Sequence, residues 1–334
     1  MKYRQKLIFL SSLAAVLALV YVLTLVFDPQ RSGRRSDLYT WLDSRLRDSV
    51  DRIDLMGSSA VRNQDSDEEN RVTLLRRNGR WLVLRAGLEY PARQARIDEL
   101  LNLLSQRDSY PRRSSSNYGL FGLSETQASR ITLGGGAGLP LLDLLIGNAG
   151  GGGLYLRKAN GGEVRSGGGD LITYIDGDAG FWYNLRLFPE SEDGGIAPDS
   201  VQRLTLVPPG PASGETAGPV VITREQNNWR IDAGDRSLDP GALEKSRVDS
   251  YISGILNMTG DDFVPAPSFS EDVRISLELG DGRVLAVSLG PPEEDSGRRQ
   301  ALVLGSPGGA GPYGYALGPW ALDRIFREPE FFKK

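Results

Sequence analysis

Apolar positions along this chain follow three successive patterns. The first is an uninterrupted run, Leu7–Phe27, with only Ser11, Ser12, Tyr21 and Thr24 as mildly polar members. At a helical rise of roughly 1.5 Å per residue it is long enough to cross a hydrocarbon core of roughly 30 Å, so it predicts a membrane-spanning helix. A cleavable signal has an apolar segment of about 7–15 residues followed by small residues at the cut. This run is longer and leads into Val26-Phe27-Asp28-Pro29, which favours an uncleaved anchor over a cleaved signal. Lys2, Arg4 and Lys6 before the run are balanced by Arg31, Arg34 and Arg35 after it, so flanking charge does not set the orientation. Short N-terminal tails usually stay inside, which places residues 36–334 outside.

Beyond the run the apolar period shortens to two. Val50–Leu55, Val72–Leu75 and Trp81–Leu84 are short β-rich segments, and Arg77-Asn78-Gly79-Arg80 between the last two is a hairpin signal. Over Arg93–Arg107 the period lengthens: Ile97, Leu100, Leu101 and Leu104 stand at i, i+3, i+4 and i+7, the spacing of one buried helical face. Ile131–Leu133 and Leu141–Ile146 follow as strands around the turn Gly134–Gly138, and then Leu154–Arg157 and Leu171–Ile175 as later strands.

The same succession returns after residue 200. Val50–Leu55 realigns with Val201–Leu206, Val72–Arg76 and Trp81 with Val220–Arg224 and Trp229, and the Ile97–Leu104 helix with Val248, Tyr251, Ile252 and Ile255 inside Leu243–Met258. Arg130–Leu133 realigns with Arg274–Leu277, and Trp182…Arg186-Leu187-Phe188 with Trp320…Arg324-Ile325-Phe326. The matches keep their order while their spacing shortens, as loop deletions between fixed elements produce. Gly280-Asp281-Gly282 marks a hairpin between Arg274–Leu279 and Val284–Leu289, and Ala301–Leu304 and Tyr313–Leu317 read as strands. The expected architecture is an N-terminal transmembrane helix followed by two tandem, antiparallel-rich α+β domains of the same topology. Residues 1–35 are the anchor and its flanks, 36–190 the first domain and 200–334 the second. The linker is 191–199, overlapping the acidic and Gly-rich stretch Pro189–Pro198.

Composition narrows the function classes. With 39 basic and 43 acidic residues the net charge is −4, which gives no electrostatic footprint for nucleic acid. There is no cysteine, so disulfides, thiol catalysis and a lipid-bearing N-terminal cysteine are excluded. There is no histidine, so the commonest general base and neutral metal ligand are missing, and with no cysteine either the composition disfavours a structural or catalytic zinc site. A serine nucleophile would need a lysine base. Only Lys158 and Lys245 precede the C-terminal pair Lys333-Lys334 in the ectodomain, and Lys245-Ser246 sits at the polar start of a predicted helix, where a solvated pair outweighs a dyad. Gly134-Gly135-Gly136-Ala137-Gly138 follows a strand as a phosphate loop does, but no Lys-Ser or Lys-Thr follows and the next segment reads as a strand. Asp65-Ser66-Asp67-Glu68-Glu69 and Glu293-Glu294-Asp295 lack the ligand spacing of a calcium loop. No catalytic, cofactor or metal residue is assigned.

The aromatics are the remaining candidates. Trp81 and Trp229 recur at the same place in both copies, which favours core anchors over carbohydrate platforms. Phe181-Trp182-Tyr183 is different: three adjacent aromatics in a strand face both sides, so at least one points away from its own core. These three residues are the candidate partner surface.

Several short features together resemble the DUF4340 family of single-anchor bacterial proteins, a domain of unknown function. They are Trp81 after a hairpin turn, Tyr90-Pro91-Ala92 leading into the helix, Tyr118-Gly119-Leu120-Phe121-Gly122-Leu123 before a strand, and the strand end Leu145-Ile146-Gly147. The likeness covers most of residues 45–190 and the second copy only loosely, since Tyr118–Leu123 has no counterpart around Pro265–Phe269. It implies a partner rather than a reaction, because family members are linked with ABC-type export systems resembling those of gliding-motility gene clusters. The expected function is non-enzymatic: a single-pass protein of the bacterial inner membrane whose periplasmic or outer ectodomain binds an ABC transporter permease or a related envelope protein. An envelope module for glycan or another extended ligand is the alternative, and a hydrolase using carboxylates alone a third class.

Overall fold

The computed structural model describes residues 16–17, 37–58, 71–150, 153–188, 196–210, 218–305 and 313–334. All of the expected anchor Leu7–Phe27 except Val16 and Leu17 lies outside these residues, as does 189–195 of the expected joint. No helix among the described residues is long and apolar enough to cross a membrane. The architecture is α+β, mostly antiparallel sheet with a few helices. The chain divides into two compact units, Met1–Arg85 with Arg93–Trp182, and Ala86–Ala92 with Tyr183–Lys334.

The first unit contains β1 (Leu38–Tyr39), β2 (Val50–Met56), β3 (Arg71–Arg77) and β4 (Arg80–Arg85). The next strand, β5 (Leu88–Pro91), falls in the stretch that belongs to the second unit. The first unit continues with α1 (Gln94–Ser105), β6 (Asp108–Ser109), β7 (Arg112–Ser114), β8 (Ser129–Gly135), β9 (Leu139–Gly150), β10 (Gly153–Lys158), β11 (Val164–Gly167) and the short helices α2 (Ile172–Ile175) and α3 (Ala179–Trp182). Its sheet runs β4-β3-β2-β8-β9-β10-β11-β7, and β1 pairs separately with β6. In the second unit follow β12 (Val201–Val207), β13 (Val220–Glu225), β14 (Asn228–Asp232), α4 (Lys245–Leu256), β15 (Asp262–Pro265), β16 (Val273–Leu279), β17 (Val284–Pro292), β18 (Arg299–Leu304), β19 (Tyr313–Leu317) and α5 (Trp320–Ile325). Its sheet runs β14-β13-β12-β16-β17-β18-β19-β15, the same order rank for rank.

The registers of the central strands agree as well, although β8–β9 and β7–β11 of the first sheet carry bulges that the second sheet lacks. Ile53 faces Leu133 in the first sheet and Leu204 faces Leu277 in the second. The central strand is bulged at the same place in each, between Val50 and Arg52 and between Val201 and Arg203. Arg76 pairs with Trp81 across one hairpin and Arg224 with Trp229 across the other. Asn78 and Gly79 carry positive φ of 52° and 80°, as a tight primed turn demands, and Gln226 carries 55°. Both tryptophans are buried, at 3% and 2% exposure, so they are core residues. The Trp229 indole N–H also reaches helix α4, donating to Asp249 at 2.7 Å. The buried residues of α1 are Ile97, Leu100, Leu101 and Leu104, as their spacing predicts.

One strand expectation is corrected. Leu171–Ile175 is helical, with Leu171 and Ile175 buried one turn apart. Its β-branched and aromatic residues favour a strand, but five residues do not fix a period. Gly167 and Gly168, at φ of 147° and 59°, end β11 just before it.

Candidate functional site

The segment Phe181-Trp182-Tyr183, expected as an exposed strand, belongs instead to the end of helix α3 and the residue after it. Trp182 and Tyr183 are fully buried, so two of the three present no partner surface. Phe181 is half-buried under the Arg96 guanidinium, which lies 3.8 Å from its ring centroid. The segment fastens the start of α1: the Arg93 N–H donates to the Trp182 carbonyl at 2.7 Å, and Arg96 donates to the Phe181 carbonyl.

The counterpart of this fastening in the second unit is Phe331-Phe332-Lys333, not the expected Trp320 segment. There the Glu244 N–H donates to the Phe332 carbonyl at 2.8 Å, and Arg247 donates to the carbonyls of Phe331 and Lys333 at 3.4 and 2.8 Å. Trp320 opens α5, whose buried pair Ala321 and Ile325 corresponds to Leu171 and Ile175. A shared Trp-x3-Arg pattern produced the mispairing.

With the corrected pairing, the two copies differ beside this fastening. In the first unit Tyr174 packs beside the fastening, its ring 6.1 Å from Phe181 and 5.9 Å from Trp182, with its hydroxyl donating to Glu99 at 3.3 Å. Burial first, and then the Glu99 charge, push its pKa up, so the ring stays neutral there. In the second unit the equivalent positions carry Arg324 for Tyr174, Ser250 for Glu99, Gly254 for Leu103 and Arg327 for Gly177. The result is a groove of about 430 Å³ in which Arg247, Arg324 and Arg327 stand beside the apolar Ile255, Met258 and Phe331.

Each arginine has its own support. The Arg324 guanidinium lies 4.7 Å from the Trp320 ring centroid and that of Arg327 5.4 Å from Phe331, while carbonyls hold Arg247. Among the described residues none of the three makes an ion pair. The acids of the neighbouring segment are matched elsewhere, Glu328 by Arg236 at 2.5 Å and Glu330 by Lys333 at 3.2 Å. Tyr251, also in the lining, donates to the Ile325 carbonyl, and burial pushes its pKa well above the usual tyrosine value. The groove therefore gathers positive charge without a counter-charge of its own. A second cleft, of about 450 Å³ in the first unit, also contains arginines, but Asp51 and Asp54 line it too and Arg52 is paired to Asp54 at 2.6 Å.

Gly254 sets the shape of the groove. It lies inside α4, and a Cβ added there would meet nothing within 4 Å. Neither crowding nor positive φ requires glycine, although glycine inside a helix costs about 1 kcal/mol relative to alanine. Lys245 pairs with Asp249 at 2.6 Å and Ser246 donates to Glu244 at 2.8 Å, so these two neighbours form no Lys–Ser dyad.

A family model described as Domain of unknown function (DUF4340) matches residues 81–275. The chain belongs to this family. The DUF4340 match begins at Trp81, inside the stretch 45–190 where the resemblance is clearest, runs through α4 of the second unit, where it is loose, and stops before Arg324 and Arg327. No curated protein and no solved structure matches the chain. Two of the motifs that carried the resemblance hold the first unit together. A Cβ on Gly147 would lie 2.0 Å from the Phe121 carbonyl oxygen, so Leu145-Ile146-Gly147, which lies inside β9 rather than at the expected strand end, meets the Tyr118–Leu123 turn backbone to backbone. Leu123 and Leu145 share a buried cluster with Ala128 and Val164, and Tyr118 lies under the Arg157 guanidinium at 4.2 Å. The groove residues escaped the sequence reading because Ser250, Gly254 and Arg324 lie on exposed helix faces, which periodicity treats as solvent.

Proposed function

We propose that this DUF4340 protein is a non-enzymatic binding protein whose second unit docks a protein partner in the arginine groove, while the first unit keeps the equivalent place closed. The observation that carries this reading is the divergence at one position of the fold: Tyr174 and Glu99 fill it in one copy, and Arg324, Ser250 and Gly254 open it in the other. Copies that share strand order and the register and bulge of their central strands need not differ there for stability. Three guanidiniums without carboxylates favour a partner that brings the missing negative charge.

We further propose the setting suggested by the length of Leu7–Phe27 and by the family resemblance: a single-pass protein of the bacterial inner membrane, acting as an accessory subunit of an ABC-type transport system. Confinement beside the bilayer raises effective concentration, so a modest interface suffices. The glycan-binding alternative has less support, since Trp81 and Trp229 are buried rather than available for stacking.

Cross-linking in native membranes, followed by purification of the full-length protein, tests the assignment. The pair Arg324→Glu/Arg327→Glu should lose the cross-linked partner at unchanged melting temperature. The charge-matched pair Arg45→Glu/Arg80→Glu in the first unit should keep it. Retention of the partner by the groove variant, or equal loss in both, overturns the reading.

A further inference from the structure

We infer that the groove takes an extended acidic peptide segment with one large apolar side chain. The carboxylates of the segment would pair with Arg247, Arg324 and Arg327, and its apolar side chain would lie over Gly254 against Ile255 and Met258. The inference deepens the protein-binding reading above and rests on it.

Charge is the first argument. The three guanidiniums face a groove without a carboxylate in its lining, and the adjacent Glu328 and Glu330 are engaged by Arg236 and Lys333. Preorganisation is the second. Stacking on Trp320 and Phe331, and the carbonyls bonded to Arg247, fix these long side chains before a ligand arrives, so less conformational freedom is lost on binding. Because each arginine has a separate support, the three offer donors along the groove, which suits several carboxylates spaced along a chain better than a single small anion.

Space is the third argument. Leu103 occupies the equivalent position on α1, whereas Gly254 leaves open room above helix α4, with the buried Ile255 and Met258, 2% and 4% exposed, beneath it and the half-exposed Phe331 beside it. A bare patch flanked by apolar groups and rimmed by cations matches an apolar anchor set among acidic residues. An acidic segment without an anchor would use the charge and leave this room unfilled.

Fluorescence anisotropy on the detergent-solubilised full-length protein tests the inference. The probe is a fluorescein-labelled dodecapeptide of Glu and Asp with one central Leu. It should bind in a salt-sensitive manner and weaken at least about tenfold with Arg324→Glu/Arg327→Glu. Replacing the peptide's Leu by Gly should weaken binding several-fold in the native protein and have no effect in the Gly254→Leu variant, where the room is already filled. Three outcomes overturn the inference: equal binding of a Gln-substituted peptide, full displacement by millimolar pyrophosphate, or binding to phosphatidylglycerol vesicles without binding to the peptide. Absence of peptide binding also overturns it. If the groove variant still loses its native cross-linked partner in that case, the protein-binding reading survives and only the chemistry assigned to the partner is wrong.

Discussion

Gly254→Ala separates a helix kept open for a ligand from one whose glycine is needed for packing. Alanine is favoured over glycine in a helix interior by about 0.8–1.0 kcal/mol. Nothing lies within 4 Å of the added Cβ, so no steric penalty offsets that gain. For a unit of this size about 1 kcal/mol corresponds to a rise in melting temperature of roughly 2–4 °C, readable by tryptophan fluorescence on the full-length protein. Gly254→Leu should likewise be tolerated, because Leu103 occupies the same place on α1, but it fills the apolar room of the groove and should weaken partner binding several-fold, as loss of the partner's apolar side chain would. Stability and binding would then move in opposite directions, the pattern expected where function keeps a locally unfavourable residue. A melting temperature lowered by Gly254→Ala would mean that the Cβ has met packing and the groove is not open. Intact partner binding in Gly254→Leu would mean that the open space serves no ligand. Either result removes the argument from glycine.

Two further outcomes concern Trp229 and its hydrogen-bond partner Asp249 in the second unit. Trp229→Ala should cost about 3–5 kcal/mol, as truncation of a buried aromatic typically does, and should lower the denaturation midpoint sharply; an unchanged midpoint with loss of a ligand would restore the stacking-platform reading. Burial opposes the ionisation of Asp249, but hydrogen bonds from Lys245 and the Trp229 indole outweigh it and hold its carboxyl below the usual carboxylate value. The stability it contributes is therefore present above its unfolded pKa of about 3.9 and lost as pH falls through the lower folded value. The gap in melting temperature between the native protein and Asp249→Asn should be largest above about pH 4 and close below it, and a gap independent of pH would refute the electrostatic account.

The fold was legible wherever a periodic signal ran long enough. The four apolar positions of α1 and their counterparts on α4 are buried as their spacing requires, and the turns at Asn78-Gly79 and Gln226 lie where the strand runs break. Legibility failed where segments were short. Leu171–Ile175 has the composition of a strand, yet it makes one helical turn because the two glycines before it end β11 and turn the chain. The true edge pairing of that sheet uses β7 and β11, whose Arg112-Arg113-Ser114 and Val164-Arg165-Ser166-Gly167 carry almost no apolar signal. Backbone hydrogen bonding selects such strands, and it leaves little mark on side-chain composition.

The groove was illegible for a related reason. Repeat detection relies on residues that both copies keep, and those are the buried ones, while a site acquired by one copy lies in what the copies do not share. Pairing Trp182 with Trp320 by their likeness hid the comparison that matters. Pairing by hydrogen bonds, Arg93 to Trp182 and Glu244 to Phe332, brings Tyr174 opposite Arg324 and Leu103 opposite Gly254. The signals were all in the sequence, as a glycine inside a helix and two arginines near the C-terminus, but none stands out against a background of 39 basic residues and 41 glycines. Only the backbone frame common to both units turns them into a difference at one place. A duplicated fold thus contains its own reference state, and the position at which one copy gives up helix propensity and aromatic packing for unpaired charge is where selection for binding, rather than for stability, is most economically placed.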